Sequence, residues 1–107
     1  MTEKKQTFSE LINGDTPVLV DFTATWCGPC KMMKPVLDEL HQKMGDSVRI
    51  IKIDIDNSPA AAAHFSVQSV PTLILFQKGK ILWRQSGVVP ANHLQNIINQ
   101  HASIETN

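Results

Sequence analysis

The sequence predicts an α/β fold, a central mixed β-sheet with helices on both faces, and three observations carry that prediction. An apolar strand pattern over Val18–Thr23 is followed by a helical stripe and then by a second apolar strand, the alternation that gives parallel strands joined through a helix. Nearer the end, Leu73-Ile74-Leu75-Phe76 and Ile81-Leu82-Trp83 flank Lys78-Gly79-Lys80, a hairpin signature that adds an antiparallel pair. The 107 residues, 42% of them hydrophobic, suffice for one core and leave no room for a second, so residues 1–107 read as a single domain.

Each element follows from a local pattern. Phe8, Leu11 and Ile12 fall at i, i+3 and i+4 and predict a short first helix closed by Asn13-Gly14-Asp15. Pro17 leads into the first strand, whose near-continuous apolar run, interrupted by Asp21, is that of a central strand covered on both faces. Met33, Leu37, Leu40 and Met44 recur at four, three and four residues, a helical stripe within residues 31–44, with Gly45 placed to end it. Pro29 suits the first turn, where its missing N–H costs nothing, whereas Pro35 lies far enough in to kink the helix. Residues 48–55 form the second strand, Ser58-Pro59 cap a short helix over residues 60–65, and residues 72–76 form the third strand. Leu94, Ile97, Ile98 and His101 mark a closing helix, residues 103–107 a frayed tail, and Trp83 reads as sheet packing.

Ten Lys+Arg against ten Asp+Glu give zero formal charge, with no electrostatic footprint for nucleic acid or an acidic membrane. The segment from Met1 to Thr7 lacks the apolar core of a signal peptide, and no stretch approaches the ~20 apolar residues of a membrane span. A soluble, cytoplasmic protein is expected, with no nucleic-acid or membrane partner. Nothing points to an obligate dimer, so a monomer is expected.

Cys27-Gly28-Pro29-Cys30, directly after an apolar strand and directly before a helix, holds the chain's two cysteines. At this spacing they can close a small ring and reopen it, as a two-electron carrier must. A thiolate is the attacking species, and the unpaired N–H groups of a helix start stabilise it. Cys27 should therefore be an exposed nucleophile, and Cys30, further inside, the resolving thiol that leaves both oxidised together. Three blander readings compete. A structural disulfide this short would constrain the unfolded chain by about 2 kcal/mol, against about 3 for a fifteen-residue loop, and a reducing cytosol disfavours it. A zinc site would need two more ligands, and His41, His64, His93 and His101 do not supply the paired spacing, so no metal is expected. Two merely buried thiols fit poorly with the turn-forming Gly28 and Pro29. Asp21 is separately conspicuous: an unpaired acid in an apolar strand escapes ionisation by a raised pKa, which suits it to carry protons near neutrality. Pairing with a lysine for structure alone is the competing account.

Trp26-Cys27-Gly28-Pro29-Cys30-Lys31, together with Val20-Asp21-Phe22 before it, Pro35 after it, Lys52 and Asp56 in the next strand, Val70-Pro71-Thr72, Gly79 and Gly87, closely resembles the thioredoxin family over nearly the whole chain. The resemblance implies a thioredoxin-like three-layer sandwich and a thiol-disulfide oxidoreductase that reduces disulfides in other proteins. It also implies recharging by a thioredoxin reductase, a flavin-dependent NADPH enzyme, with no cofactor bound to this chain. By the same resemblance Asp21, beneath the cysteines, accepts a proton from Cys30 directly or through water, with Lys52 tuning it. Pro71, by its own sequence a trans turn proline, becomes a cis proline facing the pair. Val70 would then hydrogen-bond an extended substrate segment. Trp26, Gly28, Pro29, Val70, Pro71, Gly87 and Val88 would form the docking surface, with core packing as the lesser alternative for Trp26.

Pro29 offers neither an N–H nor a cation to the Cys27 thiolate, which favours a reductant over an oxidant. Two residues depart from the family pattern: Thr23 stands where an aromatic is usual, and Ser86 where an apolar residue is expected. The alternative from another functional class is a thioredoxin-fold binding subunit whose thiols only lock a partner surface. A secreted oxidant is disfavoured by Pro29 and by the missing signal peptide.

Overall fold

Strands β1 (Val18–Thr23), β2 (Arg49–Asp54), β3 (Thr72–Gln77) and β4 (Lys80–Ser86) form one sheet in the order β2-β1-β3-β4, in a computed structural model that describes residues 7–103. β1 pairs parallel with β2 and antiparallel with β3, and β3 pairs antiparallel with β4, so the sheet is mixed as expected. Residues 1–6 of the segment read for targeting signals and residues 104–107 of the expected tail lie outside the described residues.

Alternation along the two central strands builds a core on each face. Leu19, Leu73 and Leu75 point to one side and pack with Met33, Leu37 and Leu40 of α3 (Met33–Met44) and with Leu94, Ile97 and Ile98 of α5 (Ala91–His101). Val18, Val20, Phe22, Ile74 and Phe76 point to the other and pack with Phe8 and Ile12 of α1 (Phe8–Ile12), with Ala61 of α4 (Pro59–His64), and with Phe65. The Phe65 ring meets those of Phe8 and Phe76 at centroid distances of 5.5 and 5.1 Å. Four apolar residues of β1 are at most 1% exposed. At about 1.5–3 kcal/mol for each such side chain, their burial outweighs the several kcal/mol that a buried carboxyl costs the same strand.

Pro35 acts one turn upstream of itself. Its nitrogen cannot donate to the Lys31 carbonyl, and its ring crowds that oxygen. The expected single kinked helix is therefore two: α2 (Gly28–Lys31) and α3, separated at Met32, whose N–H bonds to Pro29 O at 3.1 Å. Other boundaries also shift. β2 is shorter than residues 48–55, although Ile55 N still donates to Thr23 O at 2.9 Å. The Ser58 side chain makes no capping bond, because its backbone (φ −132°, ψ 61°) departs from the extended cap conformation, and Pro59 instead removes one orphan N–H at the helix start. Trp83 is half-buried against the α3/α5 core, which agrees with a packing role.

The β3–β4 turn is clasped to the α1–β1 connection. Lys78 (φ 53°) and Gly79 (φ 79°) both adopt left-handed conformations, and their N–H groups bond to Gly14 O at 3.0 Å and Ile12 O at 2.9 Å. The positive φ at Gly79 calls for glycine, and a Cβ there would also push aside the end of the Asn13 side chain.

Ser103, expected to fray, is pinned instead. The buried Gln77 Nε2 donates to Asp15 O and Ser103 O, each at 2.7 Å, and Gln77 Oε1 accepts from Ser103 N at 2.9 Å. Gln77→Met, similar in volume but without the amide, is expected to destabilise the fold by about 2–3 kcal/mol, the sum of three ordinary hydrogen bonds. Denaturant unfolding would measure it, and amide exchange at Ser103 should accelerate beyond that of the β1 interior.

Candidate active site

The end of β1 turns through residues 24–26 and delivers Cys27 to the N-cap of α2. Cys27 has extended backbone (φ −90°, ψ 112°), and its Sγ accepts the Cys30 N–H at 3.2 Å, so the sulfur itself fills the capping role that an oxygen usually has. The two sulfurs are bonded to each other, with Cα atoms 5.3 Å apart.

Cys27 is not the exposed residue that the sequence suggested. It is 4% exposed and Cys30 6%, because Ala24, Ile55 and Val70 pack around the pair. The Val70–Pro71 bond is cis, as the family resemblance implied and unlike the trans bond that the local sequence alone suggested, and Val70 O lies 3.6 Å from Cys27 Sγ. Pro71 is buried and its carbonyl accepts the Gly87 N–H at 2.9 Å, which brings Gly87 and the 39%-exposed Val88 to the same edge. Gly28 and Pro29 are exposed. Trp26 is 67% exposed rather than core, its Nε1 donating to Asp56 Oδ2 at 2.9 Å.

Asp56 lies in the turn beyond β2 rather than within the strand. Its own N–H donates to Asp54 Oδ1 at 2.8 Å, which fixes the turn that presents its carboxylate to the indole. Sequence reasoning gave Asp56 no role; the Asp-x-Asp-Asn run was the available signal, since such residues bond their own backbone in turns.

Asp21 is 1% exposed, and its Oδ1 has no hydrogen-bond partner among the described residues. Burial pushes its pKa from 3.8 up to about 6, opposed by the smaller attraction of the Lys52 ammonium. Lys52 is the residue opposite Asp21 in the parallel β1–β2 register. Both line a cleft of about 390 Å³ that also reaches Cys30 and is walled by Thr23, Lys31, Lys34 and Asp54. The sequence-predicted residues thus converge from two sides: Asp21 and Lys52 behind Cys30, and the exposed turn with Val70, Pro71, Gly87 and Val88 around Cys27. A larger cavity of about 560 Å³, between α3 and β2, includes Lys52 but neither cysteine. No cluster of metal-ligating side chains occurs among the described residues.

The thioredoxin family model matches residues 1–100. The chain belongs to the thioredoxin family. It is 47% identical over 93 residues to a thioredoxin of Haemophilus influenzae, covering 87% of each chain, and 46% identical over 84 residues to one of Bacillus subtilis, covering 78% of this chain and 81% of that one. Among solved structures, Malassezia sympodialis thioredoxin superposes with a TM-score of 0.80 at 36% identity, over 90% of this chain and 86% of that one. Oxidized mitochondrial thioredoxin 3 of Saccharomyces cerevisiae gives 0.77 at 39% identity, over 86% of each. Membership, with a cysteine pair at bonding distance, makes this chain a thiol-disulfide oxidoreductase with protein-disulfide reductase activity.

The raised pKa of Asp21 makes stability depend on pH. The folded state holds the proton up to about pH 6, whereas the unfolded chain loses it near 3.8, so stability falls as pH rises between those values. Above pH 6 the accumulated cost is about 3 kcal/mol. Asp21→Asn, which cannot ionise, should gain stability relative to the parent as pH rises from 4 to 7. Urea midpoints across that range would test it, and a pH-independent difference would dissociate the effect from ionisation.

Proposed function

We propose that Cys27 attacks and Cys30 resolves. The Cys27 thiolate attacks one sulfur of a substrate disulfide, the other sulfur leaves as a thiolate, and a mixed disulfide forms. Asp21 takes the Cys30 proton through the cleft, and the Cys30 thiolate attacks Cys27 Sγ, releasing the substrate dithiol and closing the Cys27–Cys30 bond. Two electrons pass from the pair to the substrate. The observation that carries this reading is the Cys30 N–H donated to Cys27 Sγ, the one hydrogen bond in the pair that can hold an anion on Cys27. Lys52 tunes the Asp21 proton by its charge.

The slight exposure of Cys27 favours an extended substrate segment laid across Val70 over a bulky surface. Trp26, Gly28, Pro29, Pro71, Gly87 and Val88 border it as a mostly apolar docking edge. Thioredoxin reductase returns the two electrons, a reading supported by family membership. The protein works as a single-domain monomer in the cytoplasm, with disulfide-containing proteins as its partners. The likeness to bacterial thioredoxins favours this.

With a disulfide-bonded protein as substrate and a limiting dithiol, Cys27→Ser is expected to fall to the uncatalysed rate. Cys30→Ser should accumulate as a mixed disulfide with substrate, visible by mass. A Cys27→Ser variant that sustained turnover would reverse the assignment, and a Cys27→Ser/Cys30→Ser variant with full biological activity would favour the binding-subunit reading.

A further inference from the structure

One polar cluster that the thiol chemistry leaves unused converges on the connection between α4 and β3, the segment that carries Val70. Arg84, on β4, donates through Nη1 to Phe65 O and through Nη2 to Ser66 O at 2.7 Å, the carbonyls that end α4. Ser66 adopts a left-handed conformation (φ 55°) just past the end of α4, where its N–H bonds Ala63 O at 3.1 Å and the Val67 N–H bonds Ala62 O at 2.8 Å, the usual close of a helix, so Arg84 ties β4 to a turn that the backbone has already formed. Further along, Thr72 Oγ1 donates to Ser69 O at 2.6 Å and lies 3.0 Å from Ser86 Oγ. A hydroxyl has one proton. That of Thr72 is committed to a carbonyl, which has none to give, so Ser86 must be the donor of the second bond. A directed chain results, from Ser86 through Thr72 to Ser69. The Gly87 N–H then bonds Pro71 O. β4 and the residue after it thus reach this connection directly at Phe65, Ser66 and Pro71, and at Ser69 through Thr72.

We propose that Arg84 and Ser86 are positioning residues for substrate, straps by which β4 sets the Val70 backbone beside Cys27 and so governs how well an extended disulfide-bearing segment docks. The inference rests on the docking of such a segment across Val70. Neither residue touches a cysteine, so loosening the strap displaces the docking edge and leaves the thiol chemistry intact. A misplacement of about 1 Å can cost up to a hundredfold in a positioned reaction. The planar guanidinium fork reaches two carbonyls at once, which a lysine ammonium cannot reproduce. Ser86, the polar residue where an apolar one was expected, thereby acquires a purpose.

The test is steady-state reduction of a disulfide-bonded protein and, separately, of 5,5′-dithiobis(2-nitrobenzoic acid), a disulfide too small to need the docking edge. Arg84→Gln, Arg84→Lys and Ser86→Ala would be compared, each checked for fold by circular dichroism. Arg84→Gln is expected to raise KM for the protein about tenfold with kcat retained. Arg84→Lys should do so less, Ser86→Ala by a few fold, and all should match the parent on the small disulfide. Equal losses on both substrates, or an unmoved KM in folded Arg84→Gln and Ser86→Ala, would overturn the strap while leaving the reductase intact. If Arg84→Gln does not fold, Ser86→Ala decides between these outcomes by itself. A parent inactive on both substrates would instead sink the reductase reading, and the strap with it.

Discussion

Antiparallel pairing of β1 with β3 is the constraint on which the site depends. Phe22 lies opposite Thr72 and Asp21 opposite Leu73, so the end of β1 that leads to the cysteines and the start of β3 that follows Pro71 share one edge of the sheet. That register brings Val70 to Cys27 across 43 positions of sequence. Closing a loop of that length costs about 3 kcal/mol in chain entropy by the logarithmic scaling. The fully buried side chains of β1 alone recover more than this, at about 1.5–3 kcal/mol each. The two-sided core is thus what allows distant segments to converge, and the site sits where the central ladder ends.

The break at Met32 alters how the cysteines are supported. Before it, α2 spans four residues, and the axis of α3 begins beyond it. A helix dipole acts mainly through the unpaired groups of its terminal turn. What Cys27 receives is one donated N–H, from Cys30, and not the summed field of a long helix. Pro29 removes a competing donor from that turn, which leaves the Cys30 N–H as the contact and keeps the electrostatic help modest.

Periodicity and punctuation made most of the fold legible. β1 was read at its full extent, since a strand buried on both faces leaves an almost unbroken apolar run, and the hairpin was read because Lys78-Gly79 stands between two such runs. The Met32 break escaped because a proline's effect falls on the carbonyl four residues earlier, which sequence spacing does not display. Burial of Cys27 escaped because its cover, Val70, comes from a segment that local sequence does not connect to it. Asp21 was legible for the opposite reason: a lone acid in an apolar run is a local contradiction, and no distant partner resolves it. Arg84, Asp56 and Thr72 gave no local contradiction. Each is an ordinary polar residue whose work is a hydrogen bond to a segment at least 14 positions away, or to a neighbour whose importance comes from such a segment.

Thr23 shows how one departure from the family pattern can matter to a neighbour. A carboxyl whose pKa is raised to about 6 is fit to accept a proton near neutrality, but a fully enclosed one exchanges that proton slowly, by local opening of the protein. Asp21 is 1% exposed, and the cleft of about 390 Å³ that it lines with Thr23 also reaches Cys30 and Lys52. A large aromatic at position 23 would occupy that space and deepen the desolvation of the carboxyl. With threonine, the pKa of the same acid is set mainly by burial, opposed by the charge of Lys52.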